Sequence, residues 1–267
     1  MGSEWDAGTY GRVSGPQFAW GSRVVERVPL AGDEDVLDAG CGTGRVTRLL
    51  AERVPDGTVL GVDGSRRMVE EARERLADLH PRVRVVQADL TALALPDPVD
   101  AIVSTATFHW ILDHDGLFRR LFAALRPGGV LVAQCGGEGN IARTLAAADE
   151  VAARAPYAAH LAGMPQSWYF AGPEATEESL ARAGFIDARA GLEEADTPFA
   201  TIDEAAEFLA TVVLRHHLER LPAELRAPYA RDVAVRRAAD DPRGRVVLDY
   251  VRLNLEARRP ASEPAPH

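Results

Sequence analysis

The stretch Val36-Leu37-Asp38-Ala39-Gly40-Cys41-Gly42-Thr43-Gly44 decides the fold. A short apolar run ends in a glycine-rich turn, and Val46, Leu49 and Leu50 then fall at helical spacing, so the segment reads strand, turn, helix. Glycines at 40, 42 and 44 let the chain turn sharply out of a strand and let a ligand approach its backbone. A dinucleotide-binding fingerprint would place its third glycine at position 45, where this chain has Arg45. Asp38, just before these glycines, would repel a pyrophosphate and favours a cationic ligand.

Outward from this turn, apolar runs at 59–62, 83–88, 101–104 and 130–135 alternate with helical or loop segments, including 68–79 and 117–125. That alternation predicts an α/β fold, a doubly wound, mainly parallel sheet covered on both faces. Upstream, Phe18, Trp20, Val24, Val25 and Val28 take helical spacing behind a break at Gly15 and Pro16. Downstream, 185–191 reads as a sixth strand and 246–257 as a seventh, with Val247, Asp249, Val251, Leu253 and Leu255 on one alternation. Helical patterns at 202–221 and 223–239 lie between them. Such an insertion far exceeds a hairpin loop of roughly 2 to 5 residues and predicts a helical lid. The expected organisation is an N-terminal arm and helix (1–30), a nucleotide-binding core (31–139), a pocket wall with the sixth strand (140–192), the lid (193–245), the last strand (246–259) and a tail (260–267).

Composition narrows the chemistry. Forty acidic against 30 basic side chains give a formal charge of −10, which would repel a phosphate backbone and argues against a nucleic-acid partner. All 30 basic residues are arginine. Schiff-base chemistry, pyridoxal phosphate attachment and a P-loop each need a lysine amine, so those classes are excluded. No apolar run reaches the roughly 18 residues that span a bilayer, and no secretory signal pattern is present, so no membrane partner is expected. Two cysteines, Cys41 and Cys135, fall in strand or strand-end segments, and a reducing, cytoplasmic setting is expected.

Three further signals follow the glycine turn. Asp63 ends the second strand, where an acceptor for two ribose hydroxyls belongs. Asp89 ends the third, where it could accept from an adenine amine while Leu90 packs on the ring. LRPGG at 125–129 puts a helix end, a proline stop and two flexible residues before the fifth strand. A site that prefers a cation suits S-adenosyl-L-methionine, which carries a sulfonium and an ammonium group. These motifs, in this order over 36–129, resemble those of the class I S-adenosylmethionine-dependent methyltransferases. The wider chain looks most like the trans-aconitate methyltransferase group, with similarity to malonyl-carrier methyltransferases, through WDxxxYxxxS at 5–14 and FHWxxDH at 108–114. The resemblance implies a Rossmann-like seven-stranded sheet with an antiparallel last strand, and methylation of a small molecule.

The expected cofactor contacts are Asp38, Gly40, Cys41, Gly42, Gly44, Asp63, Gly64, Ala88, Asp89, Leu90 and Ser104, with Tyr10 of the N-terminal arm closing over the site. His109, just past the fourth strand, could touch the donor or act as a base, or simply hydrogen-bond a loop. Trp110, Tyr169, Arg215 and His216 join His109 as candidate substrate contacts, against the plainer readings of core aromatics and solvated helix residues. No metal is expected, because Asp113 or Asp115 suits a helix cap ahead of Leu117. Carboxylate O-methylation comes first. Hydroxyl, amine or carbon acceptors stay open, as do a nicotinamide-dependent oxidoreductase and a non-catalytic nucleotide-binding protein.

Overall fold

A computed structural model describes residues 15–165 and 167–261, and the chain divides into two compact units. The first takes the chain up to Glu138, then Trp168–Glu193 and the segment from Leu253 on; the second takes Gly139–Ser167 and Glu194–Arg252.

The first unit is built on seven strands: β1 (Asp35–Ala39), β2 (Thr58–Asp63), β3 (Val83–Gln87), β4 (Val99–Thr105), β5 (Leu125–Gly136), β6 (Ile186–Glu194) and β7 (Val251–Arg258). Their spatial order is β3-β2-β1-β4-β5-β7-β6. The pairs β1–β2, β1–β4, β2–β3 and β4–β5 are parallel. β7 is antiparallel, since Gly129 at the start of β5 accepts from Arg259 beyond the end of β7, while Gly137 lies against Leu253 near its start. Strand order reverses between β1 and β4, and the carboxyl ends of those strands open the crevice where such sheets bind ligands.

Alternation along the strands sorts the core into two layers. Leu37, Ala39, Ile102, Leu131 and Ala133 face α4 (His114–Ala124) and α6 (Pro173–Arg182) through Phe118, Leu121 and Leu180. Val36, Val59, Val103, Val130 and Val132 face α1 (Gly15–Arg27), α2 (Arg45–Arg53) and α3 (Arg66–Arg75) through Val24, Leu50 and Val69. Burial on both faces explains why these strands read as continuous apolar runs.

Arginine forks close three helix ends. Arg53 donates to the carbonyls of Val25 and Val28 at the end of α1, Arg82 to Ala51 and Val54 at the end of α2, and Arg259 to Phe122 and Leu125 at the end of α4. Each guanidinium spans two carbonyls one turn apart, satisfying orphaned acceptors and opposing the negative end of the helix dipole.

The second unit contains α5 (Ala142–Ala152), a short turn Ala158–Leu161, α7 (Ile202–Phe208), a π-helical turn Leu209–Val213, α8 (Arg215–Arg220) and α9 (Ala223–Ala238). Two sequence boundaries move. Residues 140–167 join the helical unit, because Tyr229 of α9 donates to the Ala148 carbonyl (3.0 Å) and Arg236 pairs with Glu150 (2.6 Å). The last strand begins at Val251 and not at 246: Val247 and Leu248 pair instead with Pro198 and Thr197. Asp249 turns away to cap α5, accepting from the Arg143 amide at 2.7 Å and the Thr144 hydroxyl at 2.7 Å. The LRPGG segment also differs, since β5 already starts at Leu125 and the ladder jumps from Val99–Leu125 to Ala101–Val130, making the segment a bulge.

Candidate active site

Beyond β1 the chain turns with Gly40 at φ 90°, Gly42 at φ 52° and Gly44 at φ 79°, all left-handed. Gly40 and Cys41 donate to the Val62 carbonyl at 2.8 and 3.0 Å, tying the turn to β2. A Cβ at Gly40 would overlap Thr107, and one at Gly44 would stand 2.8 Å from Leu76. At Gly42 it would meet nothing within 4 Å. The turn is therefore packed below and open at Gly42, as a backbone cradle for a ligand requires. Cys41 is buried and its thiol is pushed up by that burial and by Asp38, so it stays protonated.

Asp38 is fully buried at the root of this turn. One oxygen accepts from Thr47 at 2.6 Å; the other, Oδ1, has no hydrogen-bond partner. Burial pushes its carboxyl up to about 7, against the Thr47 bond, with the nearby Asp63 charge adding to the rise. Asp63 accepts from the Gly42 amide at 2.9 Å and the Ser65 amide at 2.8 Å, and burial raises it despite those two bonds. Each of its oxygens keeps a second lone pair for a ribose hydroxyl. Gly64 follows it, and the Ala88 amide donates to the Asp63 carbonyl at 3.1 Å, placing the ends of β2 and β3 together. Exposed Asp89 accepts from the Thr91 amide (2.8 Å) and hydroxyl (2.7 Å). Leu90 is buried in the core, leaving at most an edge for a ring. Ser104 donates to the Ala39 carbonyl at 2.6 Å and serves as a link between β4 and β1. Tyr10 lies outside the described residues.

At the end of β4, Ala106 takes φ 55° and the Thr107 hydroxyl lies 3.3 Å from the Gly40 carbonyl, bridging the two sides of the crevice. His109 follows in a short helical turn and is buried, its Nδ1 accepting from the Gly136 amide at 3.2 Å. Its ring lies beside Phe170 (5.9 Å, 27°) and Trp110 (5.2 Å), and Trp110 meets Trp168 at 5.7 Å. Tyr169 turns the other way, against His114 at 4.7 Å in the core. Trp168 and Phe170, not Tyr169, therefore form the aromatic wall around His109 and Trp110. Arg215 and His216 belong to the second unit, where Arg215 pairs with Glu219 at 2.9 Å and His216 lies 3.8 Å from the same carboxylate. Asp113 caps α4 through the Gly116 amide (2.8 Å), and Asp115 binds Arg182 (2.9 Å). Among the described residues no group of three His, Cys, Asp or Glu side chains could hold a metal, and no helix is long and apolar enough to cross a membrane.

Sequence reading missed Thr47, Thr107 and Gly136, and named Phe170 only within the aromatic cluster 168–170. Thr47 alone left a trace, as a hydroxyl on the first helical turn after the glycines.

A methyltransferase domain model matches residues 36–129. The trans-aconitate 2-methyltransferase of Methylobacterium nodulans is 32% identical over 274 residues, covering 96% of this chain and 99% of that one. The chain belongs to the class I S-adenosylmethionine-dependent methyltransferases. A second trans-aconitate 2-methyltransferase, from Paracidovorax citrulli, is 41% identical over 134 residues, covering 49% of this chain and half of its own length. Among solved structures, a phosphoethanolamine N-methyltransferase from Haemonchus contortus, in complex with phosphomonomethylethanolamine and S-adenosylhomocysteine, shares the fold (TM-score 0.62, 21% identity, 95% of this chain, 57% of that one).

This methyltransferase uses S-adenosylmethionine to methylate a small molecule. Its residues fit that cofactor on two grounds: the buried, partnerless Asp38 Oδ1 calls for a cationic or hydrogen-bond-donating group, and the space over Gly42 admits one close to the backbone.

Proposed function

We propose that this enzyme O-methylates a small carboxylic acid in the cytoplasm. The observation that carries the reading is similarity along nearly the whole chain to an enzyme named for trans-aconitate, a small polycarboxylate. When bound, the cofactor supplies a methyl group made electrophilic by its sulfonium. Asp38 and the glycine turn would hold the cofactor's charged end, Asp63 its ribose and Asp89 its base, so that the protein contributes orientation and exclusion of water. Two buried free cysteines agree with a reducing compartment. Acceptor contacts from His109 and Trp110 are part of the proposal.

The test is a screen of small acids, phenols and amines with labelled methyl donor, read by product mass and by ester hydrolysis. Alkali-labile methyl esters of acids are expected. Products formed solely from phenols or amines would overturn the carboxylate assignment.

A further inference from the structure

We propose that the helical second unit carries a binding site for a small oxyanion, a carboxylate or a phosphate, in a cavity edged by Arg143 and Arg245. The site stands apart from the acceptor reading above, which uses none of these residues.

The cavity measures about 230 Å³ and is lined only by residues of the second unit, from the start of α5, the end of α9 and the segment that follows α9. One lining arginine, Arg237, is buried (3% exposed) and fully engaged. Its Nη1 donates to Asp240 at 2.5 Å, its Nη2 to the Val247 carbonyl at 2.8 Å and its Nε to the Thr144 hydroxyl at 3.3 Å. The other two are not. Arg143 is 63% exposed, and its guanidinium lies 4.0 Å from Asp196 and 3.7 Å from Asp249, beyond hydrogen-bond reach of both. Arg245 is 49% exposed and donates through Nη2 to Asp241 at 3.0 Å, leaving Nε and Nη1 without an acceptor among the described residues.

By charge the lining is balanced, three arginines against Asp196, Asp240 and Asp241. By hydrogen bonding it is lopsided. Asp240 accepts from Arg236 (2.6 Å) and Arg237, and Asp241 from the Arg243 amide (2.7 Å) and Arg245. Asp196 alone of the three has its carboxylate free of hydrogen bonds among the described residues. That inventory selects the ligand. A cation would find one free carboxylate with an arginine beside it, so repulsion would offset the bond it gained. An oxyanion meets two guanidinium forks, the geometry that suits carboxylate and phosphate oxygens, and has only to replace the loose contact between Arg143 and Asp196. Exposed ion pairs contribute little, so that exchange costs little. The balanced lining and the open rim hold affinity to the millimolar range and make it fall with salt. Arg143 lies in α5 and Arg245 beyond α9, so a bound anion ties together two distant stretches of chain and stabilises the folded state by mass action.

Titration calorimetry and thermal unfolding of the whole protein test this at neutral pH and fixed ionic strength, with inorganic phosphate in one arm, malonate in a second and chloride as the control. Wild type should bind phosphate, malonate or both with millimolar affinity and unfold at a higher temperature in that anion than in chloride; the arm that binds names the oxyanion. Arg143→Gln and Arg245→Gln should each weaken that binding about tenfold while unfolding in chloride near the wild-type temperature, because the pairs they lose are exposed. Asp196→Asn should tighten it about threefold, since the competing carboxylate is gone. This opposite sign separates a binding site from simple damage to the fold. Failure of both anions to bind, binding that survives both arginine substitutions as it would if the anion sat in the acceptor site, or an Asp196→Asn variant that binds more weakly would each overturn the proposal.

Discussion

Asp38→Asn should stabilise the cofactor-free enzyme and weaken its grip on the cofactor, both in a pH-dependent way. Burial lifts the Asp38 carboxyl from the ordinary 3.8 to about 7 in the folded chain. At 1.36 kcal/mol per pH unit, a rise of that size makes the ionised form cost on the order of 4 kcal/mol of folding stability. The sign follows from proton counts. The folded state holds this proton more tightly than the unfolded chain, so stability is greatest below pH 3.8 and falls as pH rises through that value to about 7, then levels off. An asparagine carries no charge at any of these pH values and can still accept from Thr47. Denaturant unfolding of both proteins at pH 5 and pH 8 should therefore show the variant gaining at pH 8 relative to pH 5, by up to ~3 kcal/mol. The same proton links to ligand binding. A cationic group beside Oδ1 favours ionised Asp38, so wild-type affinity for S-adenosylmethionine should climb with pH up to about 7, and calorimetry on the variant should show a lower, flatter affinity. A stability difference that does not change between pH 5 and pH 8 would refute the placement of a strained, unpaired carboxyl at the root of the turn.

The other expectations concern the turn and the second unit. Asp63→Ala should cut cofactor affinity at least tenfold in titration, because the Gly42 and Ser65 amides lose their acceptor along with the ribose; unchanged affinity would remove Asp63 from the site. Gly40→Ala, forced at φ 90° onto Thr107, should lower stability by over ~2 kcal/mol, whereas Gly42→Ala should cost about 1 kcal/mol from its φ yet abolish tight cofactor binding. Equal effects on stability and binding at both glycines would count against the cradle. His217 is buried, its Nδ1 lacks a partner, and burial lowers it to about 4, so it is neutral when folded. The unfolded chain takes up that proton first. Stability should hold above pH 6.5 and fall by on the order of 3 kcal/mol as pH drops to about 4, and His217→Phe, keeping the stack on Tyr229, should flatten that decline in denaturant titrations.

What could be read in the sequence is what periodicity and backbone geometry encode locally. The sheet was legible because strands buried on both faces need unbroken apolar runs, and the cofactor turn because a left-handed backbone beside a ligand needs glycine. The helix cap at Asp113 was legible for the same reason, since an N-cap is a local bond to the amide of Gly116. The failures share the opposite property. Residues 247–249 alternate like a strand, but Asp249 is claimed by the amide of Arg143, more than a hundred residues away in the chain, and alternation carries no record of that partner. Nor does sequence record that the Leu90 side chain packs in the core or that the Ser104 hydroxyl meets the Ala39 carbonyl.

The arginines show most clearly where legibility stops. Their number was plain and excluded lysine chemistry, but what they do instead was not. Arg53, Arg82 and Arg259 each close the carboxyl end of a helix that lies earlier in the chain, the last of them 134 residues beyond Leu125. An ammonium is a compact charge on a flexible stem, whereas a guanidinium is a rigid, planar fork: Arg53 uses both of its terminal nitrogens, and in Arg82 and Arg259 one terminal nitrogen meets both carbonyls. Composition records the fork; the fold alone shows which carbonyls it meets. The same division applies to His109. Sequence puts an imidazole at the mouth of the crevice and leaves open whether it touches the methyl donor, acts as a base or hydrogen-bonds a loop. A single backbone amide, at the end of a strand 27 residues further on, takes one ring nitrogen, a partner that no local pattern records.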